Sequence, residues 1–283
     1  MSNSEPSKEA DFHLAADFPA ASQDQWLKLV DKILAGAPFD KKLVSRTYDG
    51  IALQPLYTRS DWNAEGNPSG LPSGVPFTRG GRALGTSCGG WDIRQCHGHP
   101  DPATVNAAIL EDLERGVSSI VLMIDPSGVN GSAVHTLSDL DKALQGVLLD
   151  IAPVVLEATG SSLPTAAMLM KLLDQRRITT FSGNFGLDVL ANLAVTGGLC
   201  ADLNTELART ADIAAHVART YPKARAVNVR SVVYHSAGAA DAQELGCALA
   251  AGVEYLRAMT AAGLDVDTAT GQIGFTVAVD ADF

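Results

Sequence analysis

From Trp91 onward, short apolar runs alternate with helical stretches of ten or more residues, and this alternation limits the fold more than any other feature. Trp91–Cys96 reads as a short strand. Asp101-Pro102 opens a helix with proline at its first position and Gly116 just past its end. Val105, Ile109 and Leu113 recur every four residues and share one face of that helix. Ser118–Ile124 is a buried-strand run ended by Asp125-Pro126. Helices follow at Leu137–Leu149, Pro164–Arg176, Thr205–Thr220 and Asp241–Ala262. Strands come between and after them at Val154–Leu156, Ile178–Phe181, Ala226–Tyr234 and Phe275–Val279.

Such alternation implies parallel βα units, hence the α/β class. No glycine fingerprint follows a first strand in the manner of a doubly wound nucleotide fold, which favours a (β/α)8 TIM barrel. About six barrel strands are legible, and closure takes eight. Roughly 90 residues precede the first strand, leaving too little chain for a barrel of about 250. The expectation is therefore a TIM-barrel type that is incomplete, cut off at Asp280-Ala281-Asp282-Phe283.

The front of the chain reads differently. The first dozen residues have the look of disorder. Ser22–Gly36 is an amphipathic helix with Trp26, Leu27, Leu29, Val30, Ile33 and Leu34 in its apolar set, Ser22 as cap and Gly36 as stop. Lys42–Thr58 reads as a hairpin around Asp49-Gly50, a pair suited to a type I′ turn. Residues 63–90 are crowded with glycine and proline and read as a long irregular connection. The expected organisation is an N-terminal helix-hairpin arm over 1–62, that connection, and a barrel domain over 91–283.

Charge narrows the partners. With 21 basic against 32 acidic residues the net charge is −11, which disfavours nucleic acid and anionic membrane. The chain has no apolar run of transmembrane length and no signal peptide at its start, so the expected location is cytoplasmic. Cys88, Cys96, Cys200 and Cys247 form no CxxC, as befits reduced thiols. His97-Gly98-His99 is similar to the metal-binding start of amidohydrolase-type barrels, since i and i+2 share a strand face; the partners such a site requires are wanting, and a βα turn follows at once. Gly80-Gly81-Arg82-Ala83-Leu84-Gly85 has glycine spacing reminiscent of a phosphate loop, but no strand precedes it.

Several segments, in order along the chain, resemble the methylmalonyl-CoA mutase family, particularly its small subunit. They are Pro38-Phe39-Asp40-Lys41-Lys42-Leu43-Val44, Thr47-Tyr48-Asp49-Gly50-Ile51, Gln54-Pro55-Leu56-Tyr57-Thr58, Pro76-Phe77-Thr78-Arg79-Gly80, Trp91-Asp92-Ile93-Arg94-Gln95, and Ala239–Leu245 with Gly252–Arg257. The resemblance implies a barrel that threads a CoA arm through its centre, a separate adenosylcobalamin domain, and a radical interconversion of methylmalonyl-CoA and succinyl-CoA. It also implies a heterodimer with a large, catalytic, cobalamin-bearing subunit.

Carried over position by position, the family's catalytic set is missing. Cys96 stands where the family has a tyrosine, Thr196 where it has the arginine that grips the substrate carboxylate, and Val233 at the histidine that bonds the thioester. Threonine cannot replace a guanidinium fork. His235 reaches the histidine register only through a gap of two, which would keep its strand face. Arg94 matches a substrate-side arginine, and Thr78 and Arg79 lie in a matching loop. The family's Asp-x-His-x-x-Gly cobalamin loop is approached only by Asp11-Phe12-His13, with Ala16 in place of glycine. The resemblance thus implies a supporting subunit that binds no cofactor itself. Two alternatives stay open: a competent acyl-CoA mutase half that uses a separate cobalamin protein, and a metal-dependent barrel hydrolase built on His97 and His99.

Overall fold

The computed structural model describes residues 18–19, 21–62, 69–160 and 162–279. The first dozen residues, the Asp11-Phe12-His13 motif and the segment 280–283 lie outside them. The chain divides into two compact units, Met1–Glu65 and Gly66–Phe283.

In the first unit, helix α1 spans Gln23–Leu34. Ser22 Oγ accepts from Gln25 N at 3.2 Å while Gln25 Oε1 accepts from Ser22 N at 3.0 Å, a reciprocal cap that satisfies two otherwise orphaned donors. The helix stops at Ala35, which takes the left-handed conformation (φ 48°) one residue before the expected glycine. A short α2, Phe39–Lys42, sets Phe39 edge-on to Trp26 with 6.3 Å between ring centroids. Strands β1 (Ser45–Arg46) and β2 (Ala52–Leu53) pair antiparallel. The hairpin is not type I′, because Asp49 keeps negative φ and Gly50 alone is left-handed. Gly50 N donates to Thr47 O, which makes a wider loop. A 3-10 turn follows at Arg59–Asp61. Of the α1 residues only Val30 is buried, while Leu29 and Ile33 are exposed, as are Tyr48, Ile51 and Tyr57 beyond the helix.

The second unit opens with turns over 69–90 and then runs β3 (Arg94–His97), α3 (Pro102–Glu114), β4 (Ser119–Ile124), α4 (Leu137–Ala143), β5 (Val154–Ala158) and α5 (Ser162–Gln175). It continues with β6 (Ser182–Leu187), α6 (Val189–Thr196), α7 (Leu203–Thr220), β7 (Lys223–Arg230), α8 (Val232–Ser236), α9 (Asp241–Ala261), α10 (Val266–Gly271) and β8 (Ile273–Thr276). The six strands from β3 to β8 are all parallel and lie in sequence order. A doubly wound sheet reverses its strand order at a switch point, and this one does not. Right-handed crossovers in unbroken order place every helix on one face, the arrangement of a (β/α)8 wall. Among the described residues β3 and β8 do not pair with each other, so the sheet is a partial TIM-barrel-like structure of six strands.

Strand alternation sorts the two faces. Ile120, Leu122 and Ile124 of β4 and Val154, Leu156 and Ala158 of β5 are buried in the core with Ile109, Leu140, Leu169 and Leu173 from the helices. Val121, Val155 and Glu157 point to the open face. Several boundaries differ from the sequence expectation. The strand expected at Ile178–Phe181 is β6, at Ser182–Leu187, where Gly183, Asn184 and Gly186 carry no strand propensity. The helix from Leu137 ends at Ala143, and Leu144, Val147 and Leu149 are buried in the turns that follow. The strand expected at Ala226–Tyr234 ends at Arg230 and gives way to α8. The first and last strands sit at Arg94–His97 and Ile273–Thr276.

Candidate functional site

The open face of the sheet carries a cavity of ≈ 580 Å³. At the amino ends of the strands it is lined by Arg94, Ser182 and Lys223, with Asp92 just before β3 and Arg82 from the preceding loop. The next layer is Cys96, Val121, Val155, Asn184 and Arg225, and the layer nearest the carboxyl ends is Glu157, Asn228 and Thr276. Four cationic side chains at or near one mouth outnumber the acids there, a field that attracts anions. Arg94 Nε donates to Ser119 Oγ at 2.9 Å and Nη2 lies 3.6 Å from Asp92. Burial pushes the Cys96 thiol up, with the Glu157 charge adding to it and Arg94 opposing. Cys96 is thus a protonated thiol at neutral pH and no nucleophile.

A break in the β6–β7 ladder decides which β7 side chains reach this face. Asn184 pairs with Arg225, then the register shifts so that Leu187 pairs with Val227. Asn184 fills the gap itself: Nδ2 donates to Val227 O and Oδ1 accepts from Gly186 N, both at 2.9 Å. The extra residue lies on β6; along β7 the core positions pass from Ala224 and Ala226 to Val227 and Val229, and Asn228 lines the open-face cavity.

At the carboxyl ends of β5, β6 and β7 lies a buried polar network. Asp188, which also caps α6, accepts from Arg230 N (2.8 Å), Tyr255 OH (2.8 Å) and Ala191 N (3.1 Å). Tyr255 OH in turn accepts from Leu190 N at 2.9 Å. The Arg230 guanidinium donates to Asn192 Oδ1 at 2.8 Å and to Glu157 Oε1 at 3.4 Å, with Nε 3.7 Å from Asp188. Burial raises the Asp188 carboxyl above its usual value, against the pull of these donors and of the Arg230 charge. Burial likewise holds the Tyr255 phenol well above its usual value, and the adjacent Asp188 charge adds to this. Removing one member of such a network strands the others in low dielectric, so it locks three strand ends to α6 and α9.

A second cluster ties β7 to α9. Ser231 Oγ lies against Glu244 Oε1 and 2.8 Å from Thr276 O, and Ala278 N donates to Glu244 at 3.0 Å. His235 Nδ1 is 3.1 Å from the other Glu244 oxygen. The Ser231 hydroxyl holds the Glu244 carboxyl below its usual value, followed by the Ala278 amide.

The residues singled out from the sequence do not converge. Arg94 and Cys96 line the open-face cavity. Thr196 lines a different cavity, between α5, α6 and α7, and its hydroxyl is 2.8 Å from both Asn192 O and Gly198 O. Val233 and His235 lie on α8, so the strand-face argument for His235 fails: the chain is helical there, and the ring is tied to Glu244. Thr78 and Arg79 are exposed in the 69–90 turns; their neighbour Arg82 is the loop residue that reaches the cavity. His97 and His99 diverge. His97 is buried with Nε2 3.5 Å from Asp112, whereas β3 has ended by His99, whose Nδ1 accepts from Asp101 N. Among the described residues no three His, Cys, Asp or Glu side chains group as a metal site. Sequence reasoning passed over Glu157, Asn192 and Arg230. It singled out no role for Asp188 either, while Glu244 and Tyr255 lay inside the last of the resembling segments.

Comparison with known proteins adds a second line of observation. A family profile described as methylmalonyl-CoA mutase matches residues 46–283. A methylmalonyl-CoA mutase small subunit of Streptomyces virginiae is 38% identical over 278 residues, 95% of this chain and 43% of that protein. A small subunit of the same description from Propionibacterium freudenreichii subsp. shermanii is 34% identical, over 95% of this chain and 42% of that protein. The large subunit from Streptomyces virginiae is 26% identical, over 94% of this chain and 38% of that protein. The chain therefore spans less than half the length of the curated relatives it matches.

Proposed function

The chain belongs to the methylmalonyl-CoA mutase family, and from that footing we propose that it serves as a small subunit supporting a large, cobalamin-bearing mutase subunit. The complex would interconvert methylmalonyl-CoA and succinyl-CoA, with the chemistry on the large subunit. The observation that carries this reading is the pair of identities within one organism, 38% to the small subunit against 26% to the large.

The geometry agrees with a supporting role. Cys96, Thr196 and Val233 stand where the family's catalytic side chains would be, and they lie in three separate places with no shared focus. A catalyst needs its groups held around one reacting centre, and misplacement of a single group costs orders of magnitude in rate. Adenosylcobalamin supplies radical chemistry where it is bound. In the sequence the nearest approach to its binding loop, Asp11-Phe12-His13, has Ala16 in place of the glycine, which supports a cofactor held by the large subunit. What the chain offers instead is a cationic mouth, Arg82, Arg94, Lys223 and Arg225, chemically suited to the phosphates of a CoA tail.

The arm supplies the surface for assembly. Leu29, Ile33, Tyr48, Ile51 and Tyr57 are exposed, large apolar side chains of the kind used in protein interfaces. Among the described residues no helix is long and apolar enough to cross a membrane. Mixing the chain with a large mutase subunit should give a one-to-one complex on a sizing column. Removing residues 1–60 should abolish that complex while the large subunit elutes unchanged. An unaltered complex after the deletion overturns the arm's role.

A further inference from the structure

Between α5, α6 and α7, on the helix-packed side of the sheet, lies a second cavity of ≈ 590 Å³, within the range that takes a small molecule. Leu163, Pro164, Ala167, Val189 and Leu199 give it apolar walls. Its polar groups are few, and they are mostly spoken for. Asn192 Nδ2 donates to Ser162 Oγ at 3.2 Å, and the Thr196 hydroxyl is directed at backbone carbonyls. The exception is Glu206, in the first turn of α7.

Glu206 is a carboxylate whose side chain is only 6% exposed. Oε1 accepts from Arg209 Nη1 at 3.0 Å, and Arg209 is itself 55% exposed. Among the described residues Oε2 accepts no hydrogen bond. A carboxylate held in the wall and paired on one oxygen with a more exposed, flexible arginine leaves its second oxygen open to another donor. The cavity wall thus presents a fixed carboxylate beside a hydrocarbon surface, with the more exposed Arg209, its ion-pair partner, on the same wall.

We propose that this cavity binds a small organic ammonium ligand, its charged head on Glu206 and its hydrocarbon body against Leu163, Val189 and Leu199. Arg209, long and mostly in solvent, can swing away and leave the carboxylate to the ligand. Binding here also reaches the other face of the sheet. Asn192, which lines the cavity, accepts at 2.8 Å from Arg230, whose guanidinium extends to Glu157 in the open-face cavity. A ligand that shifts Asn192 moves the Arg230 cation, which bridges α6 to the open face. This site stands apart from the CoA reading and survives if that reading fails.

The test uses the intact chain and n-butylammonium, n-hexylammonium and cyclohexylammonium chlorides as probes, with n-butanol as the neutral control, followed by ligand-observed NMR titration. At least one amine should bind saturably and more tightly than butanol. Glu206→Gln should weaken that amine about tenfold while leaving butanol unchanged. Arg209→Ala, an exposed change that the fold tolerates, should tighten it by removing the competing cation. Ala167→Phe should abolish both by filling the cavity. The proposal is overturned if no amine saturates, if amine and butanol bind alike, or if Arg209→Ala leaves amine affinity unaltered. Because Arg209→Ala reports on its own, failure of either buried variant to fold does not shelter the idea.

Discussion

Three helices of the second unit begin with the same four-residue device. Asp101, Asp202 and Asp265 cap α3, α7 and α10, and each accepts from both the backbone N–H and the hydroxyl of a threonine three residues on. The threonine side-chain hydrogen bond is the main cause holding all three carboxyls below the ordinary value of 3.8, followed by the threonine backbone amide. A carboxyl lowered on folding stabilises the fold above its unfolded value, and that contribution is lost as pH falls through the folded one. Asp188 works in the opposite sense: burial raises it, so its contribution declines as pH climbs from 3.8 toward the raised value. The caps outnumber it, and the melting temperature should fall as pH drops below 3.8. Asp202→Asn keeps a capping oxygen but removes one titrating group. Its melting temperature should therefore decline less steeply than the parent's over that acid range, and parallel slopes would contradict the assignment.

At the scale of elements, β6 is the instructive case. Its sequence, Ser182-Gly183-Asn184-Phe185-Gly186-Leu187, holds two glycines and an asparagine, and nothing in it signals a strand. Tertiary demands explain why. Gly183 and Gly186 have positive φ, and a Cβ at either would overlap the carbonyl oxygen of Val154 or Leu156 on β5. Strain and overlap together should cost Gly186→Ala about 3 kcal/mol or more in unfolding free energy. Urea denaturation would measure it, and a loss below about 1 kcal/mol would mean β6 can slide away from β5. Elements with apolar periodicity, such as α3, α7, β4 and β5, were legible because burial and local pattern coincide there. The end of β7 was not, since Val232-Val233-Tyr234 has strand composition yet sits past the point where Arg230 turns to Asp188. The same reason hid the carboxyl-end network. Arg230, Asn192 and Glu157 lie on three elements far apart in sequence, and only strand register brings them together.

For the whole molecule, a six-stranded wall in barrel order presents a cationic cavity on its open face, and the arm exposes large apolar side chains. In the proposed reading, the positions aligned with the family's catalytic side chains hold Cys96, a raised thiol; Thr196, turned to backbone carbonyls in another cavity; and Val233, on a short helix. His235, the remaining candidate, is bound to Glu244. These placements separate a role in assembly from a role in chemistry, and turnover distinguishes the two without reference to structure. The direct measurement is adenosylcobalamin-dependent conversion of methylmalonyl-CoA to succinyl-CoA by the chain alone, by a large mutase subunit alone, and by the two together. A supporting subunit predicts no conversion by the chain alone and greater conversion by the pair than by the large subunit alone. Conversion by the chain with added cofactor and no partner would contradict it.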